Sequence, residues 1–214
     1  MTNIERYRYR IQFEKTRLIR FISHLDLHRA WERTLRRAEL PVYHSQGYNP
    51  RPKINLSRAL PLGQTSECEL LDVWLEEELE PINLLGRIRD AAPPGLILTG
   101  IEQVPLSEKS LQSRIHTAIY QVTIPHLDVD QLKKDIDGMM QADHIQRVRR
   151  EKPYDLRPLI EEISIESSTD EDVTLEMRLS AREGASGRPE EILLELGLQP
   201  EQAHIHRKAL FFNP

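Results

Sequence analysis

Period-two alternation of apolar and charged residues constrains this chain more than any other feature. Tyr7, Tyr9, Ile11 and Phe13 fall on one side of an extended segment, and Arg6, Arg8, Arg10 and Gln12 on the other. That pattern predicts a strand with one buried face and, here, a basic outer face. The alternation returns at Ile54 and Leu56, at Leu71, Val73 and Leu75, and along Leu96–Val104. Two helical segments interrupt it. The first starts from an N-cap at Ser23, with Asp26 in the first turn, and runs to about Glu39 before Pro41 stops it. Leu27, Ala30, Trp31, Thr34, Leu35 and Ala38 share one side of it, and Arg29, Arg33, Arg36 and Arg37 the other. The second opens at Pro81, carries Ile82, Leu85 and Ile88, and ends at Pro93, Pro94 and Gly95. A short extended piece is expected over residues 18–22, ahead of the first helix.

The same order recurs in the rest of the chain. Ala118, Tyr120, Val122 and Ile124 alternate as a strand, and Val129, Leu132, Ile136 and Met139 have helical spacing. Ile163 and Ile165, then Val173 through Ala181, predict two antiparallel strands joined by a turn over 167–172. A helix with Ile192, Leu193 and Leu196 opens at Pro189, and Ile205, Arg207, Ala209 and Phe211 alternate in a last strand. Residues 105–114 are polar and aperiodic, and read as a linker. The expected fold is α+β: two tandem ferredoxin-like βαββαβ halves with antiparallel sheets, residues 1–105 and 115–214. Each half would carry its helices on one sheet face and leave the other open.

Charge is distributed unevenly over the 214 residues. Residues 1–60 hold 13 Lys and Arg against 5 Asp and Glu, whereas residues 61–100 hold 2 against 8, within a net charge of -5. A basic first third on an acidic body points to a polyanion partner for one face. The competing reading is that these arginines pair internally with the acidic segments. No apolar run approaches the roughly 20 residues of a membrane helix, and residues 1–10 show no secretory signal. A single cysteine, Cys68, excludes an internal disulfide, a zinc ribbon and a self-contained iron–sulfur site. A cytoplasmic protein with no membrane association is expected, with Cys68 as a small buried hydrophobe.

The most informative stretch runs from His44 to Arg58 and holds Gln46, Tyr48, Asn49, Arg51 and Lys53. Gly47, Pro50 and Pro52 make it a loop of limited freedom. A base can stack on Tyr48, and Arg51, Lys53 or Arg58 can hold a phosphate. Equally, the loop is a rigid connector whose Tyr48 and Pro52 pack on the sheet. Together with Arg29, Arg33, Arg36 and Arg37 these residues make the candidate nucleic-acid-binding set. His24 and His44 are the candidate acid–base residues, although no paired nucleophile accompanies them. His24 and His28 share a helix face without an HExxH pattern, so no metal site is expected. His204 and His206 share one face of the last strand. There is no P-loop, no GxGxxG after a strand and no GxSxG, so no cofactor is expected.

Several runs carry a resemblance. Arg20-Phe21-Ile22-Ser23-His24-Leu25-Asp26-Leu27 and Arg36-Arg37-Ala38 are followed by Ser45-Gln46-Gly47-Tyr48-Asn49-Pro50-Arg51-Pro52-Lys53-Ile54. Ala59-Leu60-Pro61-Leu62-Gly63, with Glu69 and Asp72, comes next. These runs resemble the radical-SAM-linked protein family over about residues 6–105, and more loosely beyond. That is a bacterial family of unknown function. Its members stand alone or form the C-terminal part of a cobalamin-binding radical SAM protein. Stand-alone members are often encoded beside such an enzyme and near ribonuclease G and ribosomal protein genes. The resemblance implies a radical SAM enzyme as partner, and it brings no catalytic residue to carry over.

The expected function is therefore an accessory, non-catalytic protein that binds RNA, or presents substrate, for a cobalamin-binding radical SAM enzyme in RNA modification or ribosome and tRNA metabolism. Two alternatives stand beside it. One is a metal-independent endoribonuclease resembling the CRISPR-repeat enzymes, whose C-terminal glycine-rich loop this chain lacks. The other is a protein-docking module whose arginines meet an acidic partner.

Overall fold

The computed structural model describes residues 6–125 and 127–213. Residues 1–5, which begin the segment read as carrying no secretory signal, lie outside the described residues. The architecture is mixed α+β with mostly antiparallel sheet. Two compact units divide after Gln112.

The first unit contains β1 (Tyr7–Lys15), α1 (His24–Arg37), β2 (Ile54–Leu56), β3 (Thr65–Leu75), α2 (Pro81–Ala91) and β4 (Leu96–Val104). β1 is central. It pairs antiparallel with β3, Tyr7 opposite Leu75, and with β4, Arg8 opposite Val104. β2 pairs with the other edge of β3, Ile54 opposite Val73. The strand order is therefore β4-β1-β3-β2. Tyr9, Ile11, Phe13, Leu71, Val73 and Leu75 form the buried face, and α1 lays Leu27, Trp31 and Leu35 on it. Trp31 meets Phe13 edge-on, ring centroids 4.9 Å apart, the arrangement the ring quadrupoles favour.

α1 begins as its sequence predicts: the Ser23 hydroxyl accepts from the Asp26 amide. Its end is set by more than Pro41. Glu39 takes the left-handed conformation at φ 52, and the Leu40 amide reaches back to the Leu35 carbonyl. α1 and α2 then exchange arginines. Arg87 donates to the carbonyls of Ala38 at 2.8 Å and Glu39 at 2.6 Å, while Arg37 donates to Ala91 O at 2.6 Å. Each guanidinium satisfies carbonyls that a helix end leaves without an intrahelical donor.

Three expectations are corrected in this unit. Residues 18–22 are not extended; Arg17–Ile19 forms a 3-10 turn. The Thr16 amide is tied to Gly95 O at 3.1 Å, and the buried Lys15 ammonium gathers the carbonyls of Arg20 at 3.0 Å and Gln64 at 3.2 Å. The outer face of β1 is not a solvent-exposed basic surface either. Arg8 and Arg10 are buried against Asp72, and Arg10 also pairs with Glu108 at 2.7 Å. Nor is that sheet face fully open. Glu108 and Lys109 offer carbonyls to Arg8, and Gln112 exchanges amide hydrogen bonds with Asn55 at 2.6 and 2.9 Å. The aperiodic segment is thus fastened by side chains distant in sequence.

A single helical turn, α3 (Leu111–Arg114), leads into the second unit: β5 (Ile115–Pro125), α4 (Val129–Gln141), β6 (Gln146–Arg149), β7 (Lys152–Asp155), β8 (Ile160–Ser168), β9 (Asp172–Arg182), β10 (Ala185–Ser186), α5 (Pro189–Glu195) and β11 (His204–Phe212). β5 pairs antiparallel with β9 and β11, and β8 pairs with β9. The order β11-β5-β9-β8 repeats that of the first unit: last strand, first, third, second. The β6–β7 ribbon is an addition the periodicity does not show. Its inner side is pinned to α5 by Arg149 on Glu191 and by Arg147 on Glu195 at 3.2 Å. Cys68 is half-exposed rather than buried, with its sulfur 3.5 Å from the Ser66 hydroxyl. No helix among the described residues is long and apolar enough to cross a membrane.

Candidate functional site

After α1 the chain runs back along β3, Val42 bridging to Leu75, then turns out at His44 and returns at Pro52. The Ser45 amide donates to Arg51 O, the Lys53 amide to Tyr43 O, both at 2.8 Å, and the Arg51 amide to the Ser45 hydroxyl at 3.1 Å. Residues 43–53 therefore form a hairpin-like arm rather than a packed connector. Tyr48 sits at its tip, 98% exposed, beside exposed Asn49 and Arg51. A tyrosine ring with both faces in water is unusual for packing and suited to stacking.

Between the outer side of α1 and the base of the arm lies a groove of about 520 Å³. Arg29, Glu32, Arg33 and Arg36 wall one side, His44 and Pro52 the other, with Leu35, Leu40 and Val42 between them. Its geometry follows from helical spacing: Trp31 and Leu35 are buried, so the residues opposite must face out. Arg33 and Arg36 are exposed, with no carboxylate in ion-pair distance among the described residues. Arg29 turns back to Asp26 at 3.1 Å. The Ser23 hydroxyl first, and then Arg29, hold the Asp26 carboxyl below its ordinary range. Glu32 pairs with His28 one turn earlier, at 3.5 Å.

The sequence-derived set divides over this surface. Arg29, Arg33, Arg36 and His44 meet at the groove, and Tyr48, Asn49 and Arg51 occupy the arm above it. Arg37 is exposed, but its guanidinium is spent on Ala91 O. Lys53 lies 4.7 Å over the Trp74 ring and 5.9 Å over Tyr43, where Arg6 also stacks at 4.5 Å. Arg58 donates to Gln112 O at 3.2 Å. These three belong to the helix ends and the sheet, not to the groove. Of the two acid–base candidates, His44 lines the groove, and His24 stands exposed in the first turn of α1 outside it. His28 is engaged with Glu32 instead of aligning with His24 on a ligand. Glu32 and Pro52 were missed as groove residues: the four arginines dominate the helix face in sequence, and the second wall exists only because residues 42–44 pair beside β3.

The comparisons add family membership and no chemistry. Among curated proteins there is no match. A crystal structure of an unknown protein from Galdieria sulphuraria is similar at 12% identity, covering 98% of this chain and 100% of that one, with a TM-score of 0.26. A family model matches residues 8–189, spanning the arm, the groove and most of the second unit, and the chain belongs to that family, uncharacterised proteins conserved in bacteria (DUF2344).

Proposed function

We propose that this protein binds single-stranded RNA as an accessory to a cobalamin-binding radical SAM enzyme, in a cytoplasmic RNA-modification or ribosome-linked process. One observation carries the RNA reading: cations at a groove beside an arm that holds Tyr48 in solvent. Single-stranded nucleic acid is bound by that pairing of backbone electrostatics with aromatic stacking. The radical SAM partner rests on the sequence resemblance over about residues 6–105. Two tandem ferredoxin-like halves are part of the same reading, supported by the strand order common to both units. The cations left for phosphate are Arg33, Arg36 and Arg51, since Arg29 is paired with Asp26.

The test is a salt titration of affinity for short oligoribonucleotides. Three phosphate contacts give a slope of log K against log salt on the order of -2, at about -0.7 each. Arg33→Ala with Arg36→Ala flattens it by about 1.4. Tyr48→Ala weakens binding by roughly 1–3 kcal/mol with the slope nearly unchanged. Intact RNA after incubation with chelator separates binding from a metal-independent endoribonuclease. A protein-docking reading has its own observation: Leu18, Phe21, Leu25 and Leu62 are large, apolar and exposed around the start of α1. No RNA binding by wild type at low salt would shift the reading to that surface.

A further inference from the structure

The groove holds one carboxylate among its cations. Glu32 is half-buried, and its partner is His28 at 3.5 Å rather than an arginine. Arg29, one turn before Arg33, is drawn away to Asp26. Among the described residues the arginine wall thus makes no direct ion pair with Glu32. Beside Glu32 lies an apolar strip of Leu35, Leu40 and Val42, and Arg33 and Arg36 flank the opening. The volume of about 520 Å³ is in the range of small-molecule sites.

A carboxylate next to an apolar strip favours a flat ring that offers it donors. Guanine does this on its Watson–Crick edge, where N1–H and the N2 amino group point the same way. Adenine presents an acceptor at N1, which a carboxylate repels. Resting on the RNA-binding reading above, we infer that the groove takes one unstacked guanine. Its edge donates to Glu32, its ring sits over the groove floor at Leu40 and Val42, and its flanking phosphates meet Arg33 and Arg36. Tyr48 stacks on a neighbouring base. The groove then supplies base selectivity, and the arm supplies affinity that any base satisfies.

The experiment measures anisotropy of labelled short oligouridylates carrying one central guanosine, inosine or adenosine. Wild type binds the guanosine form about tenfold more tightly than the adenosine form, the discrimination expected of one bidentate contact. Inosine, which lacks the N2 amino group, falls between. Glu32→Gln brings the guanosine and adenosine forms within about twofold of each other. It also tightens plain oligouridylate binding, because a negative charge leaves a phosphate-binding groove. A thermal melt shows that the variant is folded, and the inosine series on wild type needs no variant. Equal, salt-dependent binding of all three oligonucleotides overturns the guanine site and leaves the RNA reading standing. A guanine preference that survives in Glu32→Gln overturns the role of Glu32. Absence of binding to every oligonucleotide at low salt overturns both readings.

Discussion

Asp72, fully buried on β3, holds the guanidinium of Arg10 on β1 at 2.9 Å, and Arg8 closes on the same carboxylate. Two cations on one buried anion is stable because Glu108 and the carbonyls of Glu108 and Lys109 take the remaining guanidinium donors. Asp72→Asn leaves Arg8 buried with carbonyls alone and Arg10 with Glu108 as its one remaining counter-charge. The expected loss is about 3–5 kcal/mol, read from the denaturant midpoint. Glu108→Gln, at the partly exposed end of the network, is expected to cost about 1 kcal/mol or less.

Gly95 and Gly63 both hold left-handed backbone, at φ +98 and +85, but differ in space. A Cβ on Gly95 would stand 2.8 Å from Ile19 Cγ2, inside the turn that carries Leu18 and Ile19; on Gly63 it would meet Phe21 at an ordinary 3.7 Å. Gly63→Ala therefore carries the backbone cost alone, roughly 1 kcal/mol. Gly95→Ala adds the clash and is expected to cost at least about 1 kcal/mol more. Thermal unfolding of the two variants compares them.

The second unit contains a tyrosine with a displaced titration. Burial, aided by the Glu191 carboxylate and opposed by Arg149, raises the Tyr154 phenol from 10.0 to about 12. The folded state thus favours the neutral phenol. Its contribution to stability is complete below pH 10 and is lost as pH rises toward 12, because the unfolded chain gives up the proton first. The difference in phenolate absorbance between wild type and Tyr154→Phe is expected to show a midpoint near pH 12. The alkaline fall in stability is expected to be shallower in Tyr154→Phe.

What could be read from the sequence was local. The alternation of Tyr9, Ile11 and Phe13, the spacing of Leu27, Trp31 and Leu35, and the Ser23 cap depend on residues within a few positions of each other, and the structure bears them out. The basic outer face of β1 failed because the residue that neutralises Arg8 and Arg10 lies on β3, and alternation says nothing about what faces a strand. The β6–β7 ribbon was missed for a different reason. Its turn places Arg150 and Glu151 at φ 50 and 65, where glycine or asparagine would have marked a hairpin. Lys53 lies in the loop of candidate phosphate ligands, and its ammonium stands 4.7 Å over the Trp74 ring, a contact that no local pattern shows. The groove needed both kinds of information: Arg33 and Arg36 came from helical spacing, and its far wall from the bridge between Val42 and Leu75.

Arg37 and Arg33 stand one turn apart on α1, are both exposed, and are indistinguishable by charge pattern. The structure separates them. Arg37 donates to Ala91 O at the end of α2, opposite the Arg87 bonds to Ala38 and Glu39, so the two helices cap each other. Arg33 opens on the groove. Arg37→Ala is therefore expected to lower stability by about 0.5–1.5 kcal/mol, the usual worth of such hydrogen bonds. The salt slope of RNA binding stays as in wild type. Arg33→Ala is expected to do the reverse, removing about 0.7 from the slope while the unfolding midpoint stays nearly fixed. The two measurements, made on the same pair of variants, cross over only if α1 divides its arginines between helix capping and phosphate contact. Equal loss of slope in both would mean that the exposed face acts as a diffuse positive field, with the groove playing no special part.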